Sequence, residues 1–196
     1  MEKGGLASRL DAVGLTRRSR IGFGDELRLG LRGTTRRVWG RRGTKVRQRL
    51  QLKYEWRYLF AAVDGQAGRV WWNGVPSMKA DALWPTIAGI QEMDLLDGLV
   101  WDNAPSHHDG DITDLDLAFV GLPPYSPELN PAERLFEEIR RHFEGRVYAT
   151  LEEKVAEVQA FLEELDADPL RVRRLCGWAW ITDAIASLPE PLANAA

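Results

Sequence analysis

The hydrophobic residues of this chain change their spacing near residue 78, and this change constrains the fold more than any other feature. Before it, residues 21–31, 50–63 and 69–75 form short alternating or aromatic-rich runs that are typical of strands. Asp64-Gly65 predicts a turn between the last two runs. The first part of the chain is therefore expected to form an antiparallel set of strands.

The second part of the chain mixes helical and strand patterns. Apolar residues recur at steps of three and four in residues 78–91 and 131–144, and Thr150 with Glu153 predicts a capping box before a further helix. Short apolar runs at 95–101 and 115–122 predict buried strands. Together these patterns predict an α/β fold, a mixed sheet with helices on its faces.

We expect residues 1–20 to form a lead-in, residues 21–182 a single folded domain, and residues 183–196 a tail. The 196 residues are 44% hydrophobic and 28% charged, which is typical of a globular protein. The single cysteine excludes an internal disulfide, and no run reaches the ~18–20 apolar residues that a membrane-spanning helix needs. These features predict a cytoplasmic protein without a membrane partner.

The net charge of −3 hides a basic stretch between Glu26 and Glu55 that contains no acidic residue. Such a run of one sign favours binding to phosphates, although a solvated basic surface is the alternative. The residues that we predict to bind DNA are its central ones: Arg36, Arg37, Arg41, Arg42, Lys45 and Arg47.

Three acidic residues come from three separate predicted elements. Asp25 lies in the first strand, Asp102 directly follows the apolar run 95–101, and Glu133 lies in the first turn of the helix 131–144. Ligands gather outside the carboxyl ends of strands in such sheets, and hard divalent cations prefer carboxylate oxygens. The three acids are therefore candidate metal ligands.

Each acid also has a structural interpretation. Asp25 can be an exposed strand residue, and Asp102 can form an Asx turn with the residues that follow it. Asn130 can be the N-cap of its helix, with Pro131 at the first helical position and Glu133 as the acid of a capping box. For Glu133, capping and metal binding can coexist.

The sequence around these acids resembles one known family. Two segments match strings of the mariner-like superfamily of DDE transposases, in particular those of bacterial insertion sequences. They are Asp102-Asn103-Ala104-Pro105-Ser106-His107 and Pro123-Pro124-Tyr125-Ser126-Pro127-Glu128-Leu129-Asn130-Pro131-Ala132-Glu133. Thirty residues separate Asp102 from Glu133. Phe23-Gly24-Asp25-Glu26 is similar to the family's first-strand Asp-Glu pair.

The resemblance implies a ribonuclease H-like fold with a mixed five-stranded sheet. It implies that Asp25, Asp102 and Glu133 are catalytic and hold two Mg²⁺ or Mn²⁺ ions, with Asn103, His107 and Glu26 in support. The implied reaction is hydrolysis at transposon ends followed by strand transfer into target DNA. A homodimer on DNA, associated with the bacterial nucleoid, is implied as well. For Tyr125 and Ser126, packing of their loop is favoured over contact with DNA.

One part of the family pattern is incomplete. About twenty residues precede the first strand, too few for the helix-turn-helix region that reads transposon ends. The chain can be the second frame of a split gene, a truncated relic, or a piece that meets its helix-turn-helix partner in trans. Two alternative functions therefore remain: a nuclease of the same fold, and a remnant that binds DNA without catalysis.

Overall fold

The computed structural model describes residues 3–33, 39–104, 107, 112, 114–143 and 145–191. Within them, one five-stranded sheet has the strand order β3-β2-β1-β4-β5. Its strands are β1 (Ile21–Gly30), β2 (Trp56–Asp64), β3 (Arg69–Val75), β4 (Gly98–Trp101) and β5 (Ala118–Gly121).

The sheet is mixed. β1, β2 and β3 pair in antiparallel fashion, whereas β1, β4 and β5 run parallel to one another. The parallel register pairs Phe23 with Val100. Asp25 and Asp102 each lie two residues further along, so the alternation of side chains directs both to the same face of the sheet.

Helices cover both faces. The helices are α1 (Lys3–Ala12), α2 (Ala80–Glu92), α3 (Pro131–Phe143), α4 (Leu151–Asp166), α5 (Pro169–Cys176) and α6 (Ala179–Ala186). On one face Leu83 and Ile87 of α2 pack with Phe60 and Trp101. On the other, the larger core contains Phe23 and Phe136. The predicted mixed five-stranded α/β sheet is confirmed.

The segments that the sequence separates as a lead-in and a tail both pack into the larger core. Leu6 and Leu10 of α1 are completely buried, α1 packs against α6, and Leu188 beyond α6 is 5% exposed. The apolar residues of α1 are not concentrated on one helical face, so the sequence carries no clear signal of this packing.

The connection between β1 and β2 differs from the prediction. β2 begins at Trp56 rather than at residue 50, and described residues 39–55 form no helix or strand. Leu52 and Tyr54 are 67% and 66% exposed, so the aromatic-rich run does not reflect burial there. No helix in the described ranges has the length and apolar character to cross a bilayer.

Candidate active site

The three predicted carboxylates border a single cleft of about 470 Å³ at one edge of the sheet. Asp25 reaches it from β1, Asp102 from the segment after β4, and Glu133 from the first turn of α3. Residues 122–127, which connect β5 to α3, form the remaining wall together with Asn103 and Asn130. The fold thus brings together side chains that are up to 108 positions apart in the sequence.

Asp25 and Glu133 are half-buried, whereas Asp102 is exposed. Burial, opposed by a hydrogen bond from the Glu26 backbone N–H, acts together with the charges of Glu26, Glu133 and Asp102 to raise the pKa of Asp25 to about 7. A carboxylate among negative neighbours in a desolvated position resists ionisation. The cleft therefore has a local excess of negative charge.

Asn130 connects Asp25 to the start of α3. Its Oδ1 accepts the Ala132 backbone N–H at 3.0 Å, so it caps the helix as predicted. Its Nδ2 donates to the Gly24 carbonyl at 3.0 Å and to Asp25 Oδ2 at 3.4 Å. Asn130 is 2% exposed, so one buried amide fixes the helix terminus against the strand that carries Asp25.

The predicted capping box at Glu133 is wrong. The Asn130 backbone N–H, which the Glu133 carboxylate would accept in that motif, donates instead to the Pro127 carbonyl at 2.9 Å within a short 3₁₀ turn. The Glu133 side chain lines the cleft, and its Oε2 lies 3.5 Å from Nη1 of Arg140, a residue outside the cleft lining. Its position in the first turn still benefits from the helix dipole.

Asp102 makes the Asx turn that the sequence allows and also lines the cleft. Its Oδ1 accepts the Ala104 backbone N–H at 3.0 Å and lies 2.9 Å from Nδ1 of His107. The following residue, Asn103, donates from Nδ2 to the Leu122 carbonyl. A Cβ at Gly121 would lie 2.2 Å from Asn103 Oδ1, so a larger residue at this position would displace the Asn103 amide.

Glu26 and His107 form a buried pair behind the cleft. Glu26 faces opposite to Asp25, as a regular strand requires, and its Oε1 lies 3.1 Å from Nε2 of His107. Both side chains are almost inaccessible, 4% and 1% exposed, and the imidazole stacks on Trp101 with 3.8 Å between ring centroids. Burial lowers the pKa of His107, but Glu26 and Asp102 outweigh it and the net pKa is raised.

The three carboxylates line the same cleft, but they are not close enough together to coordinate a single metal ion. In the described ranges no group of three or more His, Cys, Asp and Glu side chains lies close enough to hold a metal ion. Asp102 is directed to His107 and Glu133 to Arg140. The side chains nevertheless fit a divalent cation. Three carboxylates line the cleft, and carboxylate oxygens are the ligands that hard divalent cations prefer.

Those predicted DNA-binding residues that the structure describes are not part of the lining of this cleft. Arg41, Arg42, Lys45 and Arg47 are exposed in the connection between β1 and β2, whereas Arg36 and Arg37 lie outside the described residues.

Asp64 is a turn residue, as predicted, because its Oδ1 accepts the backbone N–H groups of Gln66 and Ala67.

The single cysteine is not a nucleophile for this site. Burial raises the pKa of the Cys176 thiol to about 12, so it is a poor nucleophile.

Tyr125 is completely exposed at the edge of the cleft and has a positive φ of 57°. The expectation that loop packing holds its ring is therefore wrong.

The sequence interpretation missed the link from Asn130 to Asp25 and the pairing of Glu26 with His107. Asn130 and His107 both stand in the two family strings, and that was the only signal available. Its meaning depends on contacts across 105 and 81 positions, which no local pattern reveals.

Residues 20–154, more than half of the chain, match the family described as DDE superfamily endonuclease. The chain belongs to this family. The family prediction from the sequence is confirmed, while the origin in a bacterial insertion sequence stays a prediction. A comparison with curated protein sequences finds no match.

Solved structures of Mos1 mariner transposase have the same fold as this DDE endonuclease domain. A Mos1 paired-end complex with the left transposon end is 18% identical with a TM-score of 0.66, and covers 94% of this chain and 60% of its own. The Mos1 strand transfer complex is 17% identical with a TM-score of 0.68 at the same coverage. The Mos1 catalytic domain alone is 18% identical with a TM-score of 0.58, and covers 93% of this chain and 87% of its own. The predicted ribonuclease H-like fold is confirmed.

Proposed function

We propose that this chain is the catalytic domain of a DNA transposase, which cleaves DNA at transposon ends and joins the freed ends to target DNA. Asp25, Asp102 and Glu133 are the proposed catalytic carboxylates. The observation that carries the proposal is their arrangement around one cleft, on a chain whose family is an endonuclease family. The chain spans 60% of the length of the Mos1 transposase chains, so activities of a whole transposase are part of the proposal.

The proposed cofactor is Mg²⁺ or Mn²⁺, bound as two ions by the three carboxylates. Mos1 paired-end complexes have been solved with Mn and with Mg. Burial, followed by the charges of the neighbouring acids, raises the pKa of Asp25, and a bound positive ion would favour its ionised form, which supports a cation at this place. When bound, such ions would activate the attacking oxygen and stabilise the leaving one.

Other side chains hold the proposed catalytic carboxylates in position. Asn130 holds Asp25 against the α3 terminus, and the Glu26–His107 pair holds Asp102. Asn103 ties the Asp102 segment to β5 through the Leu122 carbonyl. In-line phosphoryl transfer depends chiefly on such positioning and on charge neutralisation, and it requires no nucleophilic side chain.

The proposed partners are transposon-end and target DNA, a second copy of this chain on the DNA, and a helix-turn-helix region. Mos1 has been solved with a transposon end and as a strand transfer complex, which supports DNA as the partner here. The exposed residues Arg41, Arg42, Lys45 and Arg47 remain predicted DNA contacts, as do Arg36 and Arg37. Nucleoid association and the insertion-sequence origin also remain predictions.

A cleavage assay with radiolabelled duplex DNA in Mg²⁺ or Mn²⁺ tests the proposal. We expect cleavage by the wild type, loss of at least about 10³-fold for Asp102→Asn, and no activity in excess EDTA. Asp116→Asn is the matched control, because Asp116 is an exposed acid outside the cleft. Equal activity of Asp102→Asn and wild type contradicts the assignment.

A strand-transfer assay tests the second half of the reaction. A transposon-end oligonucleotide with a free 3′-hydroxyl is mixed with a supercoiled target plasmid, and joined product is measured on a gel. Joined product supports a transposase. Cleavage in the first assay without any joined product in the second would instead identify a nuclease of the same fold.

A further inference from the structure

A second groove, of about 600 Å³, lies between the end of β1 and helices α3 and α4. Its charged lining side chains are seven basic residues and one acidic residue, Glu137. The cleft that contains Asp25 has the opposite character, with three acidic and no basic lining side chains. Within the described residues, the catalytic cleft and this basic groove are thus of opposite charge.

Several of the groove's arginines form ion pairs at the surface. Arg146 pairs with Glu157 at 2.8 Å, and Arg141 pairs with Glu138. The Arg146 and Glu157 side chains are 45% and 50% exposed, so water screens this pair, whereas the Glu138 carboxylate is only 13% exposed. A phosphate accepts charge-assisted hydrogen bonds from a guanidinium, so it can replace Glu157 beside Arg146 and bind the exposed side of Arg141.

Two other arginines at the β1 end of the groove stack on aromatic rings. The Arg28 guanidinium lies 4.1 Å from the centroid of the Trp56 ring, and that of Arg32 lies 4.7 Å from the Tyr54 ring. A stacked guanidinium keeps its N–H donors in its own plane, where they can bind a phosphate. Both rings are partly exposed, so they also offer faces on which a nucleobase can stack.

Arg140 joins the basic groove to the catalytic cleft. It lines the groove, and its Nη1 lies 3.5 Å from Oε2 of Glu133, which lines the cleft. From Arg134 to Arg141, α3 extends along the groove for about 10 Å at 1.5 Å per residue. A polyanion with one phosphate at the cleft would therefore place its next phosphates beside these arginines.

We propose that the basic groove binds the phosphodiester backbone of DNA next to the cleavage site. This inference rests on the proposed function, and it adds the path that the DNA takes away from the cleft. The groove presents positively charged side chains and partly exposed aromatic rings, and not a fixed set of hydrogen-bond donors that could read base edges. Binding is therefore expected to be independent of base sequence and sensitive to salt.

The first test measures DNA affinity against salt concentration by fluorescence anisotropy. Every chain carries Asp102→Asn, so no DNA is cleaved. The groove variant is Arg141→Gln with Arg146→Gln, neither of which contacts a cleft acid. The control is Arg18→Gln with Arg174→Gln, which removes the same charge from exposed residues outside the groove.

We expect the groove variant to lower the magnitude of the slope of log K against log salt by about 1.4–1.8, because each lost phosphate contact is worth about 0.7–0.9. The control should keep the wild-type slope. Single-stranded and duplex DNA of one sequence are compared, and the form that shows the larger change is the one bound. Equal slopes for groove variant and control overturn the proposal, and so does equal competition by polyglutamate at matched charge.

The second test locates the contact. Neutral methylphosphonate linkages are introduced one at a time on either side of the scissile phosphate. Linkages one to three nucleotides from it should weaken binding several-fold in the Asp102→Asn chain, but not in the chain that also has the groove substitutions. A groove effect in the Asp102→Asn chains, combined with no cleavage by the chain whose Asp102 is intact, would retain this inference and refute the proposed function. Cleavage without a groove effect would do the reverse.

Discussion

The two ends of helix α3 present opposite chemistry, and they are built in opposite ways. At its start, Glu133 borders an acidic cleft whose side chains are fixed by buried partners, among them Asn130 and the Glu26–His107 pair. At its end, Arg140 and Arg141 border a basic groove with exposed side chains. Metal-dependent chemistry requires fixed positions, whereas binding a phosphate backbone requires charge and tolerates mobility. The start of α3 therefore holds acidic side chains in place, whereas its end supplies positive charge without fixing it.

The largest expected effect concerns the buried charge in the acidic cleft. The pKa of Asp25 is raised to about 7, so the folded chain binds the proton more tightly than the unfolded chain. Without metal, its contribution to stability should fall as pH rises from about 4 to about 7 and stay low above that. The loss relative to Asp25→Asn is of order 4 kcal/mol, from 1.36 kcal/mol per pKa unit.

Urea unfolding at several pH values, in EDTA, measures this difference between wild type and Asp25→Asn. Mg²⁺ should restore wild-type stability near pH 8, because an ion that binds only the folded chain stabilises it. A difference curve that is flat from pH 4 to pH 8 would mean that Asp25 is not destabilised in the fold, and that the cleft lacks the charge excess on which the comparison depends.

The second prediction compares two helix caps. Asn130→Ala removes a buried cap and the hydrogen bond to Asp25, so we expect a loss of about 2–3 kcal/mol in the free energy of unfolding together with reduced cleavage. Thr150→Ala removes the exposed cap of α4, where Thr150 Oγ1 accepts the Glu153 N–H at 3.2 Å. It should cost about 1 kcal/mol and leave cleavage unchanged.

Denaturant unfolding and cleavage rates, measured under conditions where each variant is folded, separate the two roles of Asn130. Asn130→Asp keeps an acceptor for the cap but places another acid beside Asp25. It should restore part of the stability and little of the cleavage. Full cleavage in the folded Asn130→Ala chain would show that the amide only caps the helix.

The third prediction concerns the buried pair behind Asp102. Glu26→Gln and His107→Asn should each weaken metal binding about 10–100-fold, as is usual when a group that orients a metal ligand is removed. The measurement is the Mn²⁺ dependence of cleavage, in which the metal concentration for half-maximal rate should rise while the rate at saturating Mn²⁺ changes less. Salt dependence of DNA binding should not change. A lower rate at every Mn²⁺ concentration, with no shift in the half-maximal concentration, contradicts the positioning role.

The smallest expected effect is at Tyr125, between the cleft and solvent. A non-glycine residue with a φ of 57° is strained, and asparagine tolerates this conformation better than tyrosine. Tyr125→Asn should therefore raise the free energy of unfolding by about 0.5–1 kcal/mol. A loss of DNA affinity in the same variant would extend the binding surface from the basic groove to the cleft edge, and unchanged affinity would confine it to the groove.

Much of the fold was accessible from local patterns. The strand spacing, the helix at residues 131–143 and the turn at Asp64 depend on neighbours a few positions apart, and these predictions agree with the structure. The packing of residues 1–20 was not predicted, because it depends on the core around Leu6 and Leu10 and on contact with a helix at the other end of the chain. β2 was predicted to begin too early because the apolar residues Leu52 and Tyr54, which precede it, are exposed rather than buried.

The sequence by itself determined the family, the order of the elements and the three candidate acids. It could do so because the two long motifs around Asp102 and Glu133 are contiguous in the sequence and specific to the family. Only the tertiary structure decided which of their neighbours matter. Asn130 reaches Asp25 across 105 positions, His107 reaches Glu26 across 81, and residues from β1 and α3 meet to line the basic groove. Burial and electrostatic coupling depend on distance in space, and the folded sheet alone sets that distance.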